Sequence, residues 1–283
     1  MKILRFFAIF LAITFAMTTG FAYAGPTTEV TVYSVSSDGE TVLEQKTVDY
    51  LWMESNLPVM GDGVTHYYHQ GPVFSDDKEE QWDVNETRNF KDRGAVKGTN
   101  VADLCDLVGG MSESDDVMVR ANDGYNVLFD YENICEPSPR QGPLVLCWYN
   151  GEDAESGEKQ GVGYPPEFFA GMRLAFLADN STNPQGLHVF GNTDMRESFP
   201  AEKIHLFDNL YPSTSGYTVK WVDEIRVYKG GYKGETNAPS KSLSNDLKNE
   251  NNEKTDMSAP LSPLTIIFAI TGFVLSVHLI RRE

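Results

Sequence analysis

The residue types best suited to ligand chemistry lie in the stretch His-Tyr-Tyr-His-Gln at positions 66–70. On a strand, His66 and His69 would face opposite sides, so they could share one metal ion only on a turn or a helix. His188 or Asp194 could complete such a site, but the H-E-x-x-H and CxxC spacings typical of zinc sites are absent. We therefore predict no metal, and a ligand cleft bordered by His66, His69, Gln70, His188 and Asp194. The alternative is that these histidines are ordinary hydrogen-bonded side chains near the cleft.

Arg140 adds a cation to this set. It stands in Arg-Gln-Gly-Pro, beside a tight turn, in a chain with a large excess of acid. A guanidinium in such a position could clamp a carboxylate, a phosphate or another oxyanion, or it could pair with one of the chain's own carboxylates. The sequence contains no P-loop, no GxGxxG and no Ser-His-Asp order, so it identifies no catalytic residue.

Short apolar runs separated by turn residues predict the elements that must position these side chains. Two short helices are expected at 49–55 and 100–108, the second capped by Thr99 or Asn100 and ended by Gly109-Gly110. The predicted class is α+β, richer in strand than in helix. Strands are expected at 29–35, 41–47, 116–121, 126–129, 144–149, 172–178, 187–190 and 218–228.

The three cysteines allow one disulfide at most. Cys105 lies in Val-Ala-Asp-Leu-Cys-Asp-Leu-Val, where apolar residues recur at helical spacing, so we predict that it is a buried core residue. Cys135 and Cys147 are then the candidate disulfide pair.

Four landmarks resemble the oxidoreductase molybdopterin-binding domain of the sulfite oxidase fold. They are the run from Lys97 to Gly110, the segment from Val117 to Asp123-Gly124-Tyr125, the strand Gln-Gly-Pro-Leu-Val-Leu at 141–146, and Val-Lys-Trp-Val-Asp-Glu-Ile at 219–225. Their order is that of the family, and the similarity covers about 46–228. The resemblance implies that family's β-rich mixed fold and a molybdopterin cofactor.

One departure from the family concerns the metal. Catalytic members ligate molybdenum through a cysteine on the strand before the helix, and the corresponding residues 65–74 contain none. We therefore expect a relative that binds a small ligand in the cleft without this metal ligand. The alternative is an extracytoplasmic molybdopterin-dependent oxidoreductase that uses Cys105 or Cys135 as an unusual ligand. A second alternative is a structural module of the cell surface.

Both ends of the chain predict export and anchoring. Residues 1–24 have the basic start, apolar run and Ala-Tyr-Ala end of a signal peptide, and 25–230 would form one extracellular domain. Residues 231–260 are polar enough to be a disordered stalk. Residues 261–280 are long and apolar enough to span a bilayer, and the basic end at 281–283 would lie in the cytoplasm. This tail is also similar to archaeal surface-sorting tails, with Ser262-Pro263-Leu264 in place of their Pro-Gly-Phe.

The charge balance narrows the range of partners. The formal net charge is −18 at pH 7. Such a field repels nucleic acid, so nucleic-acid binding is excluded. The expected partners are the membrane, through the C-terminal helix, and a small-molecule ligand.

Overall fold

Thirteen strands and four short α-helices make up the part of the chain described in this computed structural model, residues 24–179 and 182–234. The strands are β1 Glu29–Val35, β2 Val42–Asp49, β3 Val59–Met60, β4 His66–Gln70, β5 Phe90–Asn100, β6 Asp116–Ala121, β7 Asn126–Asp130, β8 Leu144–Asn150, β9 Arg173–Phe176, β10 His188–Phe190, β11 Leu206–Phe207, β12 Tyr211–Pro212 and β13 Val222–Tyr228. The helices are α1 Tyr50–Asn56, α2 Val101–Asp106, α3 Tyr131–Cys135 and α4 Asn192–Ser198. The predicted α+β class, richer in strand than in helix, is confirmed.

The first sheet has five strands in the order β2-β1-β13-β6-β7. The last strand, β13, pairs in parallel with β1, with Val32 opposite Ile225, and pairs antiparallel with β6. β1 and β6 have the predicted bounds because both strands alternate buried and exposed side chains. The two ends of the domain therefore meet in the middle of one sheet.

The second sheet has six strands, of which five follow the order β10-β4-β5-β8-β9, while β3 pairs with β5. β10 and β4 are parallel, and β4-β5, β5-β8 and β8-β9 are antiparallel. The sequence did not predict β4 or β5, although β5 is 11 residues long. Its sequence, Phe-Lys-Asp-Arg-Gly-Ala-Val-Lys-Gly-Thr-Asn, has several charged residues and two glycines, which are typical of loops rather than of central strands.

Two apolar clusters cover both faces of β8. Leu144, Leu146 and Trp148 belong to the main core with residues of the five-stranded sheet. Val145 and Cys147, which alternate with them, belong to a second cluster with Tyr67 and Phe168. Since successive strand side chains point to opposite faces, the second sheet is buried on both sides here.

The two predicted helices are present, and a side chain caps the first turn of each, although a cap was predicted only for the second. Asp49 caps α1 by accepting a hydrogen bond from the Trp52 amide over 2.7 Å. Asn100 caps α2 by accepting one from the Ala102 amide over 3.1 Å. α3 and α4, which have five and seven residues, were not predicted.

The predicted signal peptide, most of the predicted stalk, the predicted membrane span and the basic end lie outside the described residues. Within 24–179 and 182–234, no helix is long and apolar enough to cross a bilayer.

Candidate functional site

An open pocket of about 420 Å³ lies where β5 and β9 meet the β6-β7 turn and the segment before β13. Four cationic side chains (Lys91, Arg93, Arg173, Lys220) and three carboxylates (Asp92, Asp123, Glu158) line it. The Tyr125 ring forms part of one wall, and its hydroxyl is fixed by donating to the Gly216 carbonyl over 2.6 Å. A cavity of this size suits a small organic molecule.

Arg93, on β5, is the most unusual residue of the pocket. The residue is only 5 % exposed, and its Nε atom is buried without an acceptor among the described residues. Burial lowers the pKa of Arg93 well below its usual value, and the charge of Arg173 lowers it further. A buried cation without a close partner costs several kcal/mol, and a negative charge bound beside Arg93 would offset that cost.

Asp92 makes no ion pair with its neighbour Arg93, although its charge and that of Glu158 partly oppose the lowering of the Arg93 pKa. It accepts hydrogen bonds from the His66 ring over 3.0 Å, from the Gly94 amide over 2.8 Å and from the Glu155 amide over 2.7 Å. The acid beside Arg93 in sequence is therefore committed elsewhere.

Arg173, the first residue of β9, is the second buried cation, with 3 % of its surface exposed. Its guanidinium donates one hydrogen bond to the Gln160 side-chain oxygen and another to the Thr218 hydroxyl, over 3.1 Å in the latter case. Its Nε atom is buried without an acceptor among the described residues. Burial lowers the pKa of Arg173 to about 10.

Two of the predicted site residues, Arg140 and Asp194, contact each other, but outside the lining of the arginine pocket. Arg140 donates to both oxygens of Asp194, over 3.2 Å for Nη2, and to Glu86 over 2.9 Å. The two carboxylates are each 2 % exposed, whereas the arginine side chain is 45 % exposed. Burial, with the neighbouring Asp194, raises the pKa of Glu86 to about 8. Of the two alternatives for Arg140, the structure shows the intramolecular ion pair.

The predicted residues of β4 make separate contacts. His66 donates to Asp92 and so lies beside the pocket lining. His69 is fully buried, and its Nε2 accepts from the Phe176 amide over 3.1 Å. Burial, followed by the charges of Arg93 and Arg173, lowers the pKa of His69 well below its usual value. Gln70 joins Asp83 to the Asn192 amide and is a structural link.

His188 lies on β10, where its ring contacts Tyr67 at 5.8 Å between centroids and bonds the Ala178 carbonyl over 3.2 Å. The pocket lining therefore includes none of His66, His69, Gln70, Arg140, His188 and Asp194. Their role as ligand contacts stays a prediction. Across the described residues, no three His, Cys, Asp or Glu side chains are grouped so as to hold a metal ion.

No protein-family model matches the sequence, and no curated protein is significantly similar to it.

The three cysteines are all free. The predicted pair does not form, because Cys147 lies in the second apolar cluster while Cys135 packs against the main core and contacts Met111. Alternation along β8 sends Cys147 to the face of the sheet away from that core. Cys105 is buried in the core, as predicted.

The thiols also bear on the cofactor that the family resemblance implies. Burial raises the pKa of Cys147 to about 12 and that of Cys105 further, so both remain protonated thiols at neutral pH. A cysteine that ligates molybdenum does so as the thiolate, and the residues that line the described pocket include no cysteine. The residues present do not fit a molybdenum centre held by protein sulfur.

The sequence offered a weak signal for the arginine pocket. Arg93 lies in Lys-Asp-Arg, which resembles a solvated loop, and Arg173 lies at the start of a predicted strand. The position of Arg173 at the start of an otherwise apolar strand was the one sequence feature that indicated a buried cation.

Proposed function

We propose that this domain binds a small anionic ligand in the pocket lined by Arg93 and Arg173. The observation that carries the proposal is the buried Arg93, whose Nε atom has no acceptor among the described residues. The planar fork of an arginine matches a carboxylate or phosphate group and can bind it through two parallel hydrogen bonds.

The burial of the two arginines supports a role in ligand binding, because it does not stabilise the folded domain. An unpaired buried guanidinium destabilises the folded domain, and a second cation in the same pocket increases that cost. A bound anion would offset both effects and would accept hydrogen bonds from guanidinium groups that are themselves buried. Sites that reduce stability in this way are typical of function.

The sequence suggests where binding takes place. The signal peptide and the apolar segment at 261–280 favour an exported domain anchored to the membrane, outside the cytoplasm. The acidic surface keeps such a domain soluble, while the cationic pocket locally reverses the sign of the field. We therefore propose a surface-anchored anion-binding domain with a fold related to the molybdopterin-binding domains.

Calorimetric titration of the full-length chain tests the proposal, with acetate, succinate and phosphate as probes. At least one probe should bind, and Arg93→Gln should weaken its binding by about tenfold or more, the loss expected for a charge-assisted contact. Arg120→Gln is the matched control, because Arg120 is an exposed arginine outside the pocket lining. The proposal is overturned if no probe binds, or if both variants bind like the native chain.

Elemental analysis of protein purified from its native source separates binding from redox function. Stoichiometric molybdenum or tungsten in the purified protein would favour the oxidoreductase alternative. If neither metal is present, that alternative is ruled out.

A further inference from the structure

An ion pair crosses the mouth of the arginine pocket. The Glu158 carboxylate lies 2.7 Å from the Lys220 ammonium, and both side chains line the pocket. Glu158 belongs to the long connection between β8 and β9, whereas Lys220 belongs to the segment just before β13. The pair therefore joins two walls that come from different parts of the chain.

Arg173 ties the same two walls together deeper in the pocket. On one side, Gln160 accepts from the Arg173 guanidinium and donates through its own amide to the Glu158 carbonyl over 2.6 Å. On the other side, the Thr218 hydroxyl accepts from Arg173, two residues before Lys220. Glu158 is thus held in place by its backbone and by its side chain, above the buried cations.

The carboxylate of Glu158 is the acid most closely linked to both arginines. Burial alone would raise its pKa, but Lys220, Arg173 and Arg93 together hold the pKa below its usual value. Asp92 is occupied by His66 and by backbone amides, and Asp123, on the exposed β6-β7 turn, accepts from the Tyr125 amide. Although the Glu158 side chain is 54 % exposed, its ion pair with Lys220 keeps a negative charge in the lining of the pocket.

The charges that line the pocket balance to a small positive excess. Four cations and three carboxylates leave one positive charge. A ligand with a single negative charge neutralises that excess, whereas a second negative charge must lie near Glu158. The cavity of about 420 Å³ is also much larger than an inorganic ion needs, given that a water molecule takes about 30 Å³.

We propose that the ligand is a small organic acid with one carboxylate, and that Glu158 is the specificity-determining residue that rejects more highly charged anions. This inference rests on the proposed anion-binding function. The ligand's carboxylate would contact Arg93 and Arg173, and its uncharged part would fill the remaining space beside Tyr125.

Butyrate and succinate provide a matched test, because both have four carbons and they differ by one carboxylate. The native full-length chain should bind butyrate more tightly than succinate at pH 7. Glu158→Gln should strengthen succinate binding by about tenfold and butyrate binding by about threefold, since Coulomb repulsion scales with the charge of the ligand. Glu158→Asp keeps the charge and should keep the preference for butyrate.

Asp123→Asn is the control for a general change of charge, since Asp123 lines the pocket from an exposed turn. It should change the succinate-to-butyrate ratio by less than twofold, because the charge of Glu158 acts on both Arg93 and Arg173, whereas that of Asp123 acts on neither. Tighter binding of succinate by the native chain would overturn the inference, as would equal effects of the Glu158 and Asp123 substitutions. In both cases binding that still depends on Arg93 would leave the proposed function intact, whereas failure of both acids to bind would count against the function itself.

Discussion

Arg93 and Arg173 line one pocket as like charges, 5 % and 3 % exposed, and the second lowers the pKa of the first. Each comes from a different strand of the second sheet. Arg173 is partly satisfied by Gln160 and Thr218, but Arg93 lacks any such contact within the described chain. Two neighbouring buried cations are a source of instability in the unliganded domain.

Arg93→Met should therefore stabilise the unliganded protein. Methionine has a similar length and is flexible enough to fill the space, and it carries no charge to desolvate. The free energy of unfolding, measured with urea, should rise by about 1–4 kcal/mol. Anion binding should be lost in the same variant, and Arg120→Met should change neither quantity by much. A loss of stability in Arg93→Met would show that the guanidinium has a partner that the structure does not reveal.

The cluster of Arg140, Glu86 and Asp194 predicts a specific dependence of stability on pH. The pKa of Glu86 is raised from 4.5 to about 8, mainly by burial. A raised pKa in the folded state means that the folded protein binds more protons than the unfolded one between these values. The contribution of Glu86 to stability is therefore complete below about pH 4.5 and is lost as the pH rises through about 8.

Glu86→Gln should remove this dependence, because the amide stays neutral and still fills the site. The difference in unfolding free energy between pH 5 and pH 8 should become smaller by about 3 kcal/mol in the variant, since each pKa unit corresponds to about 1.4 kcal/mol. Urea unfolding at several pH values measures it. Glu155→Gln, a change at an exposed glutamate outside this cluster, should leave the difference as it is in the native chain. An unchanged slope in Glu86→Gln would mean that Glu86 is ionised throughout.

The sequence predicts the first sheet far better than the second. The bounds of β1 and β6 follow from alternation, because one face of each strand is buried and the other is not. β5 is buried on both faces, so its pattern of burial does not alternate, and its charged residues point to a loop. Tertiary contacts from both sides override the local preference of this strand.

The site depends on contacts between residues far apart in the sequence. The sequence analysis named Arg140 and Asp194 as candidate ligand contacts but did not predict that they bind each other. They are 54 residues apart in the sequence. The environment of Arg93 is even harder to predict from the sequence. Its distinguishing feature is that its Nε atom lacks an acceptor among the described residues. Residue type and spacing carry no information on which buried groups remain unpaired.

Gly142 should tolerate alanine much less well than Gly39. Both have a positive φ, +66° and +77°, but an alanine Cβ at Gly142 would overlap the Leu177 carbonyl, whereas at Gly39 nothing lies within 4 Å. We expect Gly39→Ala to lower the unfolding free energy by about 1 kcal/mol and Gly142→Ala by about 3 kcal/mol or more. Thermal unfolding of the two variants provides the comparison. Equal losses would indicate that the turn before β8 can move away from β9.

Chemical labelling should show that none of the three cysteines forms a disulfide. Cys105 and Cys147 are buried and Cys135 is partly exposed, and burial raises the pKa of all three. Because only the thiolate reacts readily, alkylation of the folded protein at neutral pH should label Cys135 slowly and leave Cys105 and Cys147 unmodified. Unfolding without reductant should then make all three available, as intact-mass analysis would show. If only one cysteine were labelled in the unfolded, unreduced chain, a disulfide would join the other two. A disulfide between Cys135 and Cys147 would contradict their packing on opposite sides of the second sheet.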